Sequence, residues 1–116
     1  MPLIQIQTNH APAREHTLAL LNEVSSKVAN ALGKPEAYVM TLLGPETTMT
    51  FGGTPEPCCY LELKNIGTLT PEQTGALSEL LCSLCETHLA VPPERTYVEF
   101  KDAERHLWGW NNKTFA

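Results

Sequence analysis

The sequence predicts an α/β protein made of two βαβ units in tandem, with two helices on one face of a four-stranded mixed sheet. Apolar spacing typical of strand, helix and strand recurs in that order in each half of the 116 residues. Pro35–Val39, after the first helical pattern, also has a counterpart in Pro93–Val98, with one residue inserted. We therefore expect a single domain, 1–116, with repeats of approximately 1–57 and 58–116.

The first repeat begins with Leu3–Thr8, where apolar and polar residues alternate after Leu3 as in a half-buried strand. A helix is predicted from about Ala13 to Leu32. Its apolar positions are Leu18, Leu21, Val24, Val28 and Leu32. Gly33 is expected to end this helix, since Pro35 follows. Tyr38–Leu43 is rich in strand formers and predicts the second strand.

The second repeat follows a loop, 46–57, for which we expect at most a short strand around Met49–Phe51. Cys58–Ile66 and Thr96–Phe100 are the predicted strands of this repeat. Between them, Thr70 is placed to cap a helix, with Pro71 at the first helical position and Gln73 completing a capping box. One helical face is expected to carry Leu77, Leu80, Leu81, Leu84 and His88, and Pro92-Pro93 marks the end of the pattern.

The chirality of βαβ units predicts how this domain associates. Each crossover pairs its strands in parallel, and the right-handed rule places both helices on one face of the combined sheet. The opposite face is then left uncovered in a domain too small to cover it alone. We therefore expect the chain to self-associate.

Charge and hydropathy argue against several classes of partner. The net charge is −5, and no two of the eight Lys and Arg residues are adjacent, so we expect no nucleic-acid partner. No apolar run approaches the ~20 residues that span a bilayer, and the N-terminus lacks the pattern of a signal peptide. We expect no membrane partner and a cytoplasmic location, with non-classical secretion as the alternative.

Four cysteines raise the question of a metal or redox site. Cys58 and Cys59 are adjacent in a predicted strand and would point to opposite faces, which is a poor arrangement for joint ligation. Cys82 and Cys85 fall inside a helical pattern, far from the helix start that lowers a thiol pKa. The simplest interpretation is four free, structural thiols; we expect no metal and no cofactor.

Met1-Pro2 opens the chain with a dipeptide of possible chemical meaning. If an aminopeptidase removes Met1, the ring nitrogen of Pro2 becomes a free secondary amine that can act as a general base. If Met1 stays, that nitrogen is an amide without a usable lone pair. Many ordinary proteins begin in the same way, so the dipeptide alone is a weak signal.

Several short motifs carry a resemblance that spans essentially the whole chain. They are Thr8-Asn9, Gly33-Lys34-Pro35, Phe51-Gly52-Gly53, Glu56-Pro57-Cys58, Ile66-Gly67, Leu80-Leu81-Cys82 and the tail Trp110–Ala116. With Pro2 they resemble the macrophage migration inhibitory factor family of the tautomerase superfamily. The resemblance implies a homotrimer whose sheets form a central barrel, with active sites at the subunit interfaces.

The resemblance also implies roles for particular residues. Pro2 would shuttle the proton in keto–enol tautomerisation of phenylpyruvate-like α-keto acids, and Lys34 would bind the substrate carboxylate. The backbone amide of Ile66 would contact substrate, and Tyr97 would come from a neighbouring subunit. Trp110 and Phe115 would form an aromatic wall. Each also has an ordinary structural explanation: a cation at a helix end for Lys34, packing for the others.

Two residues of the implied site depart from the family pattern. Glu99 stands where mammalian members carry an asparagine, and an ionised carboxylate there accepts hydrogen bonds but donates none. Trp108 replaces a small aliphatic residue beside the site and should reshape its rim. The family's Cys-x-x-Cys on the third strand is also incomplete, because no second cysteine follows Cys58-Cys59-Tyr60-Leu61 at that spacing.

The sequence leaves three hypotheses about function. The leading hypothesis is an enzyme, a cofactor-independent tautomerase acting on a small α-keto acid. The alternative is a trimeric binding or signalling protein that keeps a vestigial pocket, and the third is a thiol enzyme that uses Cys82 and Cys85.

Overall fold

The chain folds as one four-stranded mixed sheet covered on one face by two helices. The computed structural model describes all 116 residues. The elements are β1 (Leu3–Thr8), α1 (Arg14–Leu32), β2 (Met40–Gly44), β3 (Cys59–Ile66), α2 (Pro71–Leu89) and β4 (Thr96–Ala103). The strand order is β2-β1-β3-β4, with parallel pairing inside each βαβ unit and antiparallel pairing between β1 and β3. This confirms the predicted fold class.

A single core lies between the sheet and both helices. Along β3, buried residues alternate with half-buried ones, and β1 shows the same pattern. Ile4 and Leu61 from the sheet join Val24 of α1 and Leu81 of α2 in one cluster of buried side chains. Because all four belong to the same cluster, the two helices share one face of the sheet. Neither helix is long and apolar enough to cross a membrane.

Helix α1 packs on the core through most of the predicted stripe, since Val24 and Val28 are buried and Leu21 and Leu32 pack against the core; only Leu18 was wrongly placed there. Leu20, Val24 and Val28 are buried, whereas Leu18 is 45% exposed. Residues four apart share a helix face, but a residue two positions away lies on nearly the opposite side. Leu18 therefore faces away from the core. The helix ends as predicted at Gly33, which adopts a left-handed conformation with φ of 63°.

Helix α2 starts with the predicted capping box. The backbone N–H of Gln73 donates to the Thr70 hydroxyl, and the Thr70 N–H donates to the Gln73 side chain, at 3.2 and 2.9 Å. Pro71 occupies the first turn. The helix ends at Leu89, where Ala90 takes a left-handed conformation two residues before Pro92.

The predicted start of the second strand is wrong, and the short strand allowed around Met49–Phe51 does not form. Residues Glu36–Tyr38 form a 3₁₀ turn in which the Tyr38 N–H donates to the Pro35 carbonyl, so β2 begins only at Met40. Around Met49–Phe51 there is no strand, only an isolated bridge between Phe51 and Thr54. Strand propensity is overridden at both places by local turns that satisfy the backbone hydrogen bonds.

The C-terminal tail forms a small hairpin that the sequence reasoning missed. Strands β5 (Gly109–Trp110) and β6 (Lys113–Thr114) pair in antiparallel fashion. Asn111 and Asn112 join them with φ of 52° and 64°. Positive φ at both central residues is the signature of a type I′ hairpin turn, and asparagine tolerates it better than most residues.

The face of the sheet opposite the helices is bare, and its side chains lie in rows across the strands. Register pairs Tyr60 with Tyr97, Glu62 with Glu99, and Lys64 with Lys101. Neighbouring rows of opposite charge offset the repulsion within each row: Lys101 Nζ lies 3.4 Å from a Glu99 carboxylate oxygen and 3.8 Å from one of Glu62. We call this surface the bare sheet face.

Candidate active site

A cavity of about 600 Å³ opens at one end of the sheet, where β1 and β2 begin and β3 and β4 end. Its size is within the range of small-molecule sites. The lining residues are Met1, Pro2, Leu3, Ala37, Tyr38, Val39, Met40, Lys64, Ala103, Leu107, Trp108, Gly109, Trp110 and Phe115. We call it the terminal cavity. The antiparallel pairing of the two repeats brings the start of the chain to the ends of β3 and β4.

Three aromatic rings form one wall of the terminal cavity. Trp110 and Phe115 stack with ring centroids 5.8 Å apart. Tyr38 meets both rings edge-on, at 5.3 and 6.3 Å. The C-terminal hairpin supplies Trp110, the 3₁₀ turn before β2 supplies Tyr38, and Phe115 follows the hairpin. This wall offers an apolar, planar surface to a ligand.

The amino terminus lies in an environment that disfavours positive charge. Burial, a hydrogen bond with Lys34, the charge of Lys34 and the charge of Arg105 together lower the pKa of the Met1 amine from 8.0 to about 5. An amine with this pKa is mostly neutral at neutral pH. Pro2, which becomes the terminal residue if Met1 is removed, lines the same cavity as Met1.

Lys34 connects the first helix to the end of β3. It follows the helix-terminating Gly33, and its ammonium donates a hydrogen bond to the Ile66 carbonyl at 2.7 Å. Lys34 and Ile66 are thus neighbours. Neither residue lines the terminal cavity. Ile66 instead lines a separate, more open depression together with Asp102 and Arg105.

Cys82 and Cys85, the two cysteines of the thiol-enzyme hypothesis, do not form a reactive pair in this structure. All four are free; Cys85 is fully buried and Cys82 is half-buried. A hydrogen bond with Cys59 is the largest cause that raises the pKa of Cys85, and burial is the second. Burial also raises the pKa of Cys82. Raised pKa values leave both thiols protonated and poorly nucleophilic. No group of three or more His, Cys, Asp or Glu side chains is placed to hold a metal ion.

Comparison with known proteins assigns the family. The model of the family described as macrophage migration inhibitory factor (MIF) matches residues 1–116. The chain belongs to the MIF family. Among curated relatives, macrophage migration inhibitory factor of Meriones unguiculatus is 35% identical over 116 residues, and the homolog of Brugia malayi is 38% identical over 116 residues; each match covers 100% of both chains.

Solved structures of MIF proteins have the same fold. The MIF homologue from Prochlorococcus marinus matches with a TM-score of 0.93 at 46% identity, covering 98% of this chain and 99% of that one. MIF from Toxoplasma gondii matches with a TM-score of 0.92 at 33% identity, covering 97% and 98%. The MIF family belongs to the tautomerase superfamily, and its members are oligomeric.

Within one subunit, the residues expected of a MIF site fall into three groups. Pro2, Trp108, Trp110 and Phe115 line the terminal cavity. Lys34 lies beside the amine of Met1, which lines the cavity, and donates a hydrogen bond to Ile66. Tyr97 and Glu99 lie on the bare sheet face, with Tyr97 at the opposite end of the sheet against Phe51, at a centroid distance of 4.9 Å. Within this chain, Tyr97 therefore lies away from the terminal cavity.

Among the lining residues that were not predicted from the sequence, Tyr38 and Lys64 carry polar groups. Tyr38 was assigned to a strand, and only the 3₁₀ turn presents its ring to Trp110. Lys64 is two residues before Ile66 in an alternating strand, so both lie on the same face. That spacing was a usable signal once Ile66 had been placed near the site.

Proposed function

We propose that the chain is a cofactor-independent keto–enol tautomerase of phenylpyruvate-like α-keto acids, with the Pro2 amine as acid and base after removal of Met1. The observation that carries the proposal is the position of Pro2 in a largely apolar cavity, next to Met1, whose amine has its pKa lowered by burial and by the cations Lys34 and Arg105. MIF family membership supports it further.

The reaction needs one proton carrier and a fixed substrate. The neutral Pro2 nitrogen takes a proton from the carbon next to the substrate carbonyl, and the electron pair of that C–H bond moves into an enolate. The resulting secondary ammonium gives its proton to the enolate oxygen, which completes the enol. The reverse sequence makes the ketone. No redox change occurs, so the proposed steps use no electron carrier.

The surrounding residues would bind and orient the substrate. Lys34 would hold the α-keto carboxylate, with the Ile66 backbone amide beside it, while Trp110 and Phe115 would receive the aryl ring. Trp108 would narrow the rim of the cavity. Tyr97 and Glu99 would act from the neighbouring subunit of a homotrimer, closing the cavity from the bare sheet face.

Ketonisation of phenylpyruvate, followed by ultraviolet absorbance, tests the proposal. Met1-free protein is compared with Pro2→Gly, which keeps a terminal amine but removes the proline ring. Loss of the proline base should lower kcat/KM by about 10²- to 10⁴-fold. Equal rates for the two proteins would end the Pro2 mechanism.

The alternative proposal is a trimeric binding or signalling protein, and one observation favours it. In the chain that keeps Met1, the terminal cavity is present although Pro2 carries no free amine. Intact mass shows whether Met1 is absent from purified protein. Ligand binding without turnover in Met1-free protein would favour this alternative. A cytoplasmic location, with non-classical secretion as the second possibility, stays a prediction.

A further inference from the structure

We propose that Lys64 forms a second anion-binding subsite in the terminal cavity, and that the chain therefore prefers substrates with two carboxylates. One carboxylate belongs to the reacting α-keto acid, and the other lies at the far end of the molecule. This inference rests on the proposed function for the reaction itself, but it makes a separate claim about which ligands bind.

Lys64 is the only charged side chain among the residues that line the cavity. The other thirteen of the fourteen lining residues are uncharged, and eleven of the fourteen are hydrophobic. Within one chain, no carboxylate lines the cavity to neutralise the ammonium. Apolar walls strengthen the attraction between a bound anion and a cation, because water screens it less.

The ammonium of Lys64 has hydrogen-bonding capacity to spare. Its nearest anionic partner is a Glu62 carboxylate oxygen at 4.0 Å, longer than the 2.7–2.9 Å of a charge-assisted hydrogen bond. The same Glu62 oxygen lies closer to Lys101, at 3.8 Å. Lys64 therefore has no hydrogen-bond acceptor within its own chain, which leaves its three N–H donors open to a ligand.

Lys64 and Lys34 are placed to hold different groups. Lys34 stands beside the amino terminus and donates to the Ile66 carbonyl. Lys64 lies in the row across the sheet that starts at Met40, passes through Leu3 and continues to Lys101. Lys34 is thus held at the Ile66 backbone beside the amino terminus, whereas Lys64 lines the cavity itself. A substrate with one carboxylate leaves one of these cations without a partner, whereas a dicarboxylate can pair with both.

Binding is measured on Met1-free protein through intrinsic fluorescence. Both tryptophans of the chain, Trp108 and Trp110, line the cavity, so their emission reports its occupancy. Phenylacetate is the probe with one carboxylate, and 4-carboxyphenylacetate is the matched probe with two. The variants are Lys64→Met, which removes the charge, and Lys64→Arg, which keeps it. Lys101→Met is the control, since it removes the same charge from the same row outside the cavity lining.

If Lys64 forms the subsite, its substitution should selectively weaken binding of the probe with two carboxylates. Lys64→Met should weaken binding of 4-carboxyphenylacetate by about tenfold or more, the effect of one hydrogen bond to a charged group. Phenylacetate binding should change by less than about twofold, Lys64→Arg should restore most of the affinity, and Lys101→Met should leave the ratio of the two affinities unchanged. An equal loss for both probes, no loss for either, or the same selectivity change in Lys101→Met would overturn the inference.

A kinetic comparison separates this inference from the proposed function. Phenylpyruvate and 4-carboxyphenylpyruvate are the substrates, and Lys64→Met should raise KM for the second alone while kcat stays nearly constant. If Pro2→Gly abolishes turnover but Lys64→Met changes KM equally for both substrates, the tautomerase proposal stands and the subsite is refuted. If the binding selectivity appears but no variant turns over either substrate, the subsite stands and the tautomerase proposal fails.

Discussion

Lys34→Met should raise the pKa of the terminal amine and move the onset of activity to higher pH. In the chain that keeps Met1, the amine pKa falls from 8.0 to about 5, with burial as the largest cause and Lys34 as the source of the next two. Removing the cation abolishes both Lys34 contributions but leaves burial. The variant pKa should therefore lie between about 5 and 8.0.

The sign of the activity change follows from the form of the base. A neutral amine is needed to accept the substrate proton, and the amine is neutral above its pKa. In Met1-free protein, a higher pKa for Pro2 should move the acidic limb of the kcat/KM profile to higher pH by about one pH unit or more. Lys34→Met should also raise KM, since the proposed carboxylate partner is lost.

The direct measurement is a pH titration of the carbon-13 shift of Met1 Cα in labelled protein that retains Met1. The matched control is Lys27→Met, because Lys27 lies on α1, the helix that ends just before Lys34, is paired with Glu23 at 3.0 Å and has a side chain that is 51% exposed. The pKa of the Met1 amine in the Lys27→Met variant should equal that in the wild type. If Lys34→Met also leaves the pKa unchanged, the electrostatic account of the terminal amine is refuted.

Three further substitutions test the fold and the cavity. Thr70→Ala removes the capping box of α2 and should lower the free energy of unfolding by about 1 kcal/mol in urea titrations, whereas an unchanged midpoint would refute the importance of the cap. Leu81→Ala opens a space in a fully buried position and should cost about 2–5 kcal/mol by the same measurement; a cost below that of the cap would contradict the assigned core. Phe115→Ala breaks the stack on Trp110 and should raise KM for phenylpyruvate about tenfold with a smaller change in kcat, and an unaltered KM would exclude this wall from substrate binding.

Features fixed by neighbouring residues were readable from the sequence. Thr70, Pro71 and Gln73 specify a helix start because the capping hydrogen bonds join residues only three apart. Gly33 specifies a helix end because its φ of 63° is strained for other residues. The alternation of β1 and β3 likewise predicted a sheet with one buried face.

Features that depend on distant parts of the chain were not readable in the same way. Tyr38 has strand propensity, yet its ring packs on Trp110 and Phe115, more than seventy residues later in the sequence. Lys64 reaches the terminal cavity only because β3 pairs antiparallel with β1 and places it opposite Leu3. For Pro2, Lys34 and Ile66, family resemblance supplied the tertiary information that local patterns lack.

The central claim is that the base exists only after Met1 is removed. The most direct test is to prepare the protein with methionine aminopeptidase inhibited during expression, and then to add the active aminopeptidase while following both intact mass and phenylpyruvate ketonisation. The rate should rise from near the uncatalysed level in proportion to the fraction of chains that have lost Met1. Full activity in protein whose mass still includes Met1, or no activity after complete removal, would contradict the claim.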